Sequence, residues 1–184
     1  MRPATPEPLK LVALDEDDLK ILSAHLQDAV LRMSDMVWVP SEHRFAAILS
    51  RFDWLSAVEQ DGASNLRRCR CALRFDRVKR AQVQNIRPGE PSAFAELLAV
   101  TYEEAQPPSG FITLYFAGGG AVRLEVECIE GELCDLGVAW KTAIKPEHAV
   151  AEAEVPPASA RVATLHSYHD EEDRPEMQAS VRAL

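Results

Sequence analysis

Apolar and polar residues alternate with a period of two through much of the central chain. The sharpest instance surrounds the run Gly118, Gly119, Gly120: residues 111–116 read FITLYF and residues 121–128 read AVRLEVEC. In the second arm Val122, Leu124, Val126 and Cys128 fall on one face, with Arg123, Glu125 and Glu127 on the other. That is the signature of a half-buried strand, and glycines between two such arms predict a β-hairpin. Residues 67–75, RRCRCALRF, set Cys69, Cys71, Leu73 and Phe75 against Arg68, Arg70, Ala72 and Arg74, a further strand that continues or bends through 78–86. Earlier, MVWVP and RFAAILSRFDW flank Pro40, Ser41, Glu42 and His43, turn chemistry that predicts a hairpin over 36–54. Residues 55–66 read as a loop. In AFAELLAVTYEEA the run Leu97, Leu98, Ala99, Val100 satisfies either period, and the Val-Thr-Tyr that follows selects strand. Pro107, Pro108, Ser109 and Gly110 then break the chain before the glycine hairpin.

Two stretches carry helical spacing instead. Asp15, Glu16, Asp17 and Asp18 place acids where a helix N-terminus favours them, and Leu19, Leu22, Leu26, Ala29 or Val30, and Met33 follow three and four apart, an amphipathic N-terminal helix. Ile129, Leu133 and Leu136 repeat that spacing, and Gly137 stands where a left-handed cap would end a short C-terminal helix. The fold class expected is α+β. About six antiparallel strands form a bent sandwich or a small, partly open barrel, pleckstrin-homology-like by analogy of architecture alone, with the N-terminal helix across its mouth.

Composition sets the boundaries. Of 184 residues 47% are hydrophobic and 27% charged, the make-up of an ordinary globular chain able to fold without disulfides or metal. Residues 146–184 hold eight acids and three arginines, net −5 of the chain's −9, with no sustained apolar period. Burial there cannot offset the entropy of ordering, so an acidic disordered tail is expected over 146–184, a disordered N-terminus over 1–8 and one globular domain over 9–145. No apolar run reaches the length of a membrane span, no secretory signal opens the chain, and four cysteines read as reduced thiols, which together predict a cytoplasmic protein.

Candidate chemistry is sparse. Cys69 and Cys71 share a strand face and, with Cys128 and Cys134, could complete a four-thiolate zinc site, but the spacing is wrong for a zinc knuckle and their apolar neighbours make them core-filling side chains. His166 and His169 precede the acidic run 170–173, a loose metal-binding cluster whose plainer reading is a solvated segment. His25 lies beside the apolar stripe of the first helix, with Asp28 within a turn, and reads as a boundary histidine; His43 belongs to a turn. The triple glycine has neither the lysine nor the Ser/Thr of a phosphate loop. No catalytic or metal residue and no cofactor is assigned. The exception to the acidic balance is 67–80, with seven bases and one acid. Arg68, Arg70 and Arg74 project from one strand face, suited to a phosphate-bearing ligand or an acidic protein partner, unless outward acids such as Glu103, Glu104, Glu125 and Glu127 pair with them across the sheet. Net acidity excludes general nucleic-acid binding.

The segments LKLVALDEDDLKILSAHLQDAVL, RFDW, LRFDRV and FAGGGAVRLEVECIEGELCDLG resemble an alphaproteobacterial family of unknown function, number 2948, over residues 9–148. The resemblance implies a bacterial cytoplasmic protein and supplies no activity, cofactor or site residue. Three classes stand: a non-catalytic interaction module using the arginine face, which is the leading reading; a barrel binding a small molecule or phosphate in an interior cavity with polar groups; and an enzyme, which requires converging His, Cys or acid side chains such as His25 meeting a cysteine and a carboxylate.

Overall fold

A computed structural model of the chain describes residues 8–54, 66–86, 93–137, 139–142 and 146, and the backbone of 162–164. The elements run β1 (Lys10–Ala13), α1 (Glu16–Leu26), β2 (Ala29–Arg32), β3 (Met36–Val39), β4 (Arg44–Phe52), β5 (Arg67–Phe75), β6 (Val78–Gln84), β7 (Phe94–Gln106), β8 (Ser109–Phe116), β9 (Ala121–Val126), β10 (Gly131–Asp135), β11 (Trp140–Lys141) and β12 (Val162–Thr164). Among the described residues they form one antiparallel sheet in the order β1-β10-β5-β4-β2-β7-β8-β9-β6-β12, with β3 added to β4 and β11 to β5. The sheet is open, and it has twelve strands where the alternation predicted about six.

The expected strands are present where the period-two pattern is strongest. β3 and β4 pair around the 40–42 turn, β8 and β9 around the glycines, and β7 is strand throughout. Gly118 and Gly119 have φ of 78° and 79°, the left-handed region that glycine enters without strain. β5 and β6 are joined by Asp76 and Arg77 alone, yet lie third and ninth in the sheet order. The chain turns a corner there, and the two parts of the sheet contribute to one core: Phe45, Leu49, Leu73 and Phe75 from one, Val83, Ile112, Leu114, Leu124 and Val126 from the other. A bond from the Val78 N–H to the His43 carbonyl, 2.8 Å, helps pin the corner, with the Asp76 N–H on the Glu130 carbonyl and the Glu127 N–H on the Arg77 carbonyl.

α1 lays Leu19, Leu22 and Leu26 on this core, all essentially inaccessible to water, and Ser23 Oγ accepts the Val100 N–H of β7 at 2.8 Å. Its start is as expected: Asp15 caps the Asp18 N–H at 2.8 Å and three acids fill the first turn. Its end is not. Asp28 has φ 60°, so the helix stops at Leu26 and Ala29 and Val30 belong to β2. The short C-terminal helix expected over 129–137 is replaced by β10, whose Gly131 and Leu133 point inward. A Cβ on Gly131 would stand 2.7 Å from the Phe75 ring, so glycine serves here to let β10 pack on β5. Residues 55–65 of the loop expected over 55–66, residues 1–7 of the N-terminus expected over 1–8, and all of the tail expected over 146–184 but 146 and 162–164 lie outside the described residues.

Candidate functional site

β5 sorts its side chains as the alternation predicts. Cys69, Cys71, Leu73 and Phe75 are buried, while Arg68, Arg70 and Arg74 lie on the opposite face. Their surroundings differ. Arg74 is paired on both sides, to Glu132 at 2.8 Å and to Asp76 at 3.0 Å. These partners come from the neighbouring strand β10 and the corner turn; of the acids expected to face the arginines, Glu103 instead pairs with Arg123 at 3.3 Å. Arg68 is half-buried, and its Nη1 donates to the Ser50 carbonyl at 3.0 Å and the Asp28 carbonyl at 3.3 Å. Burial lowers its pKa, against the opposing charges of Glu96 and Asp28. Arg70 is exposed and has no ion pair among the described residues.

Two residues not singled out by the sequence reading flank Arg70. The Leu136 N–H donates to the Arg70 carbonyl at 2.8 Å, continuing the β10–β5 register so that Leu136 stands opposite Arg70. Trp140 of β11 is the register partner of Arg68. Leu136 and Trp140 are 44% and 46% exposed, and with Arg70 they form a basic, apolar patch on the outside of β5. Ser50 of β4 faces Arg70 from the other side.

The inward face carries a second constellation. Arg51 Nε and Nη2 donate to Asp135 Oδ1 and Oδ2, both at 2.8 Å, and the two side chains are 6% and 4% exposed. Asp135 Oδ2 also accepts the Leu9 N–H at 2.9 Å, while Arg51 Nη1 reaches the Phe52 carbonyl at 3.4 Å. Burial works against the charged form of both; their mutual hydrogen bonds outweigh it, raising the Arg51 pKa and lowering that of Asp135. β1, β4 and β10 are thereby clamped at one end of the core. The period of FAAILSRF is the signal that points to this pair: Phe45, Ala47, Leu49 and Arg51 share one parity, placing a guanidinium at an inward position.

His25 lies in the electrostatic field of Arg51, Asp135 and Asp53. Burial lowers its pKa, as does Arg51, while Asp135 and Asp53 oppose. Burial raises the Cys69 thiol, with Arg51 pulling the other way, and pushes Cys71 up to about 12. Thiols raised in pKa by burial are the reverse of the low-pKa thiolate that makes cysteine a nucleophile. Cys134, half-buried, stands opposite Ala72, on the other face of the sheet from Cys71. Among the described residues, no group of three or more His, Cys, Asp or Glu side chains could hold a metal ion. His43 holds a left-handed turn position and contributes its carbonyl to the corner. His166, His169 and the 170–173 run lie outside the described residues. A hollow of about 340 Å³, lined by Lys79, Gln106, Ser109, Phe111 and Glu125, opens beside the β7–β8 turn rather than inside the core. No helix among the described residues is long and apolar enough to cross a membrane.

Residues 9–148 match the sequence model of a family described as "Protein of unknown function (DUF2948)". The match spans well over half the chain, which therefore belongs to that family. No curated protein and no solved structure matches.

Proposed function

We propose that this member of an uncharacterised family is a non-catalytic interaction module that docks an acidic protein partner on the outer face of β5. One observation carries the reading: Arg70 is exposed and without an ion pair among the described residues, and exposed Leu136 and Trp140 adjoin it. Arginine and tryptophan are the side chains most enriched among residues that dominate binding energy, and an apolar rim around a guanidinium excludes water from the ion pair it makes. A phosphate cradle fits less well. It calls for converging cations, whereas Arg68 is committed to backbone carbonyls and Arg74 to two carboxylates.

The test compares the full-length wild type with Arg70→Glu and Trp140→Ala in affinity capture from a bacterial lysate and in retention on immobilised polyglutamate. Both variants are expected to melt within a few degrees of wild type, since neither side chain is buried, and both lose the captured partner. Wild-type retention weakens toward about 1 M salt, where the screening length falls to ~3 Å. A folded Arg70→Glu protein that keeps every partner overturns the proposal.

A further inference from the structure

Two irregularities of the sheet fall side by side near the β7–β8 turn. The β6–β9 register shifts between Val78 and Arg80, which takes Lys79 out of the ladder, and the β7–β8 register shifts between Glu104 and Gln106. Bulges of this kind re-aim side chains. Here they border the hollow of about 340 Å³, to which four adjacent strands contribute: Lys79 from β6, Glu125 from β9, Ser109, Gly110 and Phe111 from β8, and Gln106 from β7. The Tyr102 hydroxyl donates to the Pro108 carbonyl at 3.1 Å and ties the turn back onto β7, so this wall of the hollow is held in place.

The polar side chains around the hollow are uncommitted. Those of Lys79, Gln106, Ser109 and Glu125 make no hydrogen bond or ion pair among the described residues. Lys79 and Glu125 carry opposite charges on neighbouring strands, whose spacing is about 5 Å, yet they are not paired with each other. Arg80, the register partner of Glu125, makes no ion pair with it either and lies outside the lining. Arg123 is the contrast: it pairs with Glu103 at 3.3 Å and lies over the Phe111 ring at 3.9 Å, which fixes an aromatic surface at the border of the hollow.

Charge decides the class of ligand. A simple anion drawn to Lys79 meets the Glu125 carboxylate, and a simple cation drawn to Glu125 meets Lys79. A molecule carrying both charges satisfies the two at once. The volume lies at the low end of the about 300–1,000 Å³ of small-molecule sites, which selects a ligand of amino-acid size. We propose that the hollow binds a free α-amino acid with an apolar side chain, its carboxylate on Lys79, its ammonium group on Glu125 and its side chain against the Phe111 ring, with Ser109 and Gln106 supplying further hydrogen bonds. The site belongs to the part of the sheet built from β6 to β9 and works independently of the arginine face of β5.

Amide chemical shifts of the full-length, nitrogen-15-labelled protein test this, with free leucine, N-acetylleucine and leucinamide as probes. Leucine is expected to shift the amides of Lys79, Ser109, Phe111 and Glu125 saturably in the millimolar range of a solvent-accessible site, leaving those of Leu136 and Trp140 in place. N-acetylleucine lacks the ammonium group and leucinamide the carboxylate, so each binds about three- to fivefold more weakly, the worth of an accessible ion pair. Neither Lys79 nor Glu125 is buried, so Lys79→Gln and Glu125→Gln keep the fold. Lys79→Gln removes the preference for leucine over leucinamide, and Glu125→Gln removes the preference over N-acetylleucine. The absence of a saturable shift at these amides up to ~50 mM leucine overturns the proposal. Equal affinity of the wild type for all three probes does so too, as does a preference that survives both substitutions.

Discussion

Removing the carboxylate of Asp135 tests the account of the inward clamp most severely. The Asp135→Leu change leaves the Arg51 guanidinium buried with only the 3.4 Å contact to the Phe52 carbonyl, and deprives the Leu9 N–H of its side-chain acceptor. Three hydrogen bonds to a charged oxygen at about 1.5–3 kcal/mol each would sum to roughly 4.5–9 kcal/mol. That sum overcounts, because the bonds share one desolvation penalty and the chain relaxes. Removal of one member of a buried pair costs about 3–5 kcal/mol, and this is the expected loss, a large part of a domain stability of about 5–15 kcal/mol. Arg51→Met is expected to cost a similar amount. The double variant, with no charge left to solvate, should cost less than the sum of the two by at least about 2 kcal/mol. Urea unfolding with a common m-value gives all four stabilities. Additivity within about 0.5 kcal/mol would refute the clamp. The acid limb supplies a second check. The folded pKa of Asp135 lies below its unfolded value, so its contribution is present above the ordinary carboxylate pKa and is lost as pH falls through the folded value. Asp135→Asn should flatten that part of the limb.

His25 has its pKa lowered by burial, so the unfolded chain takes up the proton first and stability should fall as pH drops below the unfolded value near 6.5. His25→Gln should flatten the slope of stability between about pH 7 and 5, and an unchanged slope would sink the assignment. Cys71, at about 12, carries thiolate in roughly one molecule in ten thousand at pH 8. Peptide mapping after brief treatment with a thiol-disulfide reagent should therefore find native Cys71 unmodified and half-buried Cys134 modified; equal rates at the two would refute the burial argument.

The hairpins of the sheet are legible in the sequence because their ladders are local. β3 with β4 and β8 with β9 are hairpins in which the turn residues and the alternating arms sit together in sequence, and the face of each strand follows from parity alone. Failures occurred where distant packing decided between two periods. Ile129, Leu133 and Leu136 have helical spacing, but Gly131 must meet the Phe75 ring, 56 positions earlier, and only a strand brings it there. Ala29 and Val30 continue the spacing of α1 by coincidence, and nothing local shows that Asp28 turns the chain into β2. At the outer face, parity placed Arg68, Arg70 and Arg74 together correctly. Their separate fates depended on Glu132, Ser50, Leu136 and Trp140, residues brought beside β5 by the sheet order. The same holds for Asp135, whose apolar neighbour Leu133 marks its parity but whose partner, Arg51, lies 84 residues away.

The order of assembly also has a consequence in time. Lys10 stands opposite Cys134, and Leu9 is bonded to Asp135 across 126 positions. At translation rates of about 5–20 residues per second, β1 leaves the ribosome roughly 6–25 s before β10, its neighbour in the sheet among the described residues, exists. The helix behind it, whose Ser23 bonds Val100 across 77 positions, waits roughly 4–15 s for β7. An outer strand of the sheet is therefore made before the other described strands and is among the last placed, and until β7 emerges the leucine stripe of α1 lacks that cover and is open to whatever chaperone or neighbouring chain reaches it first.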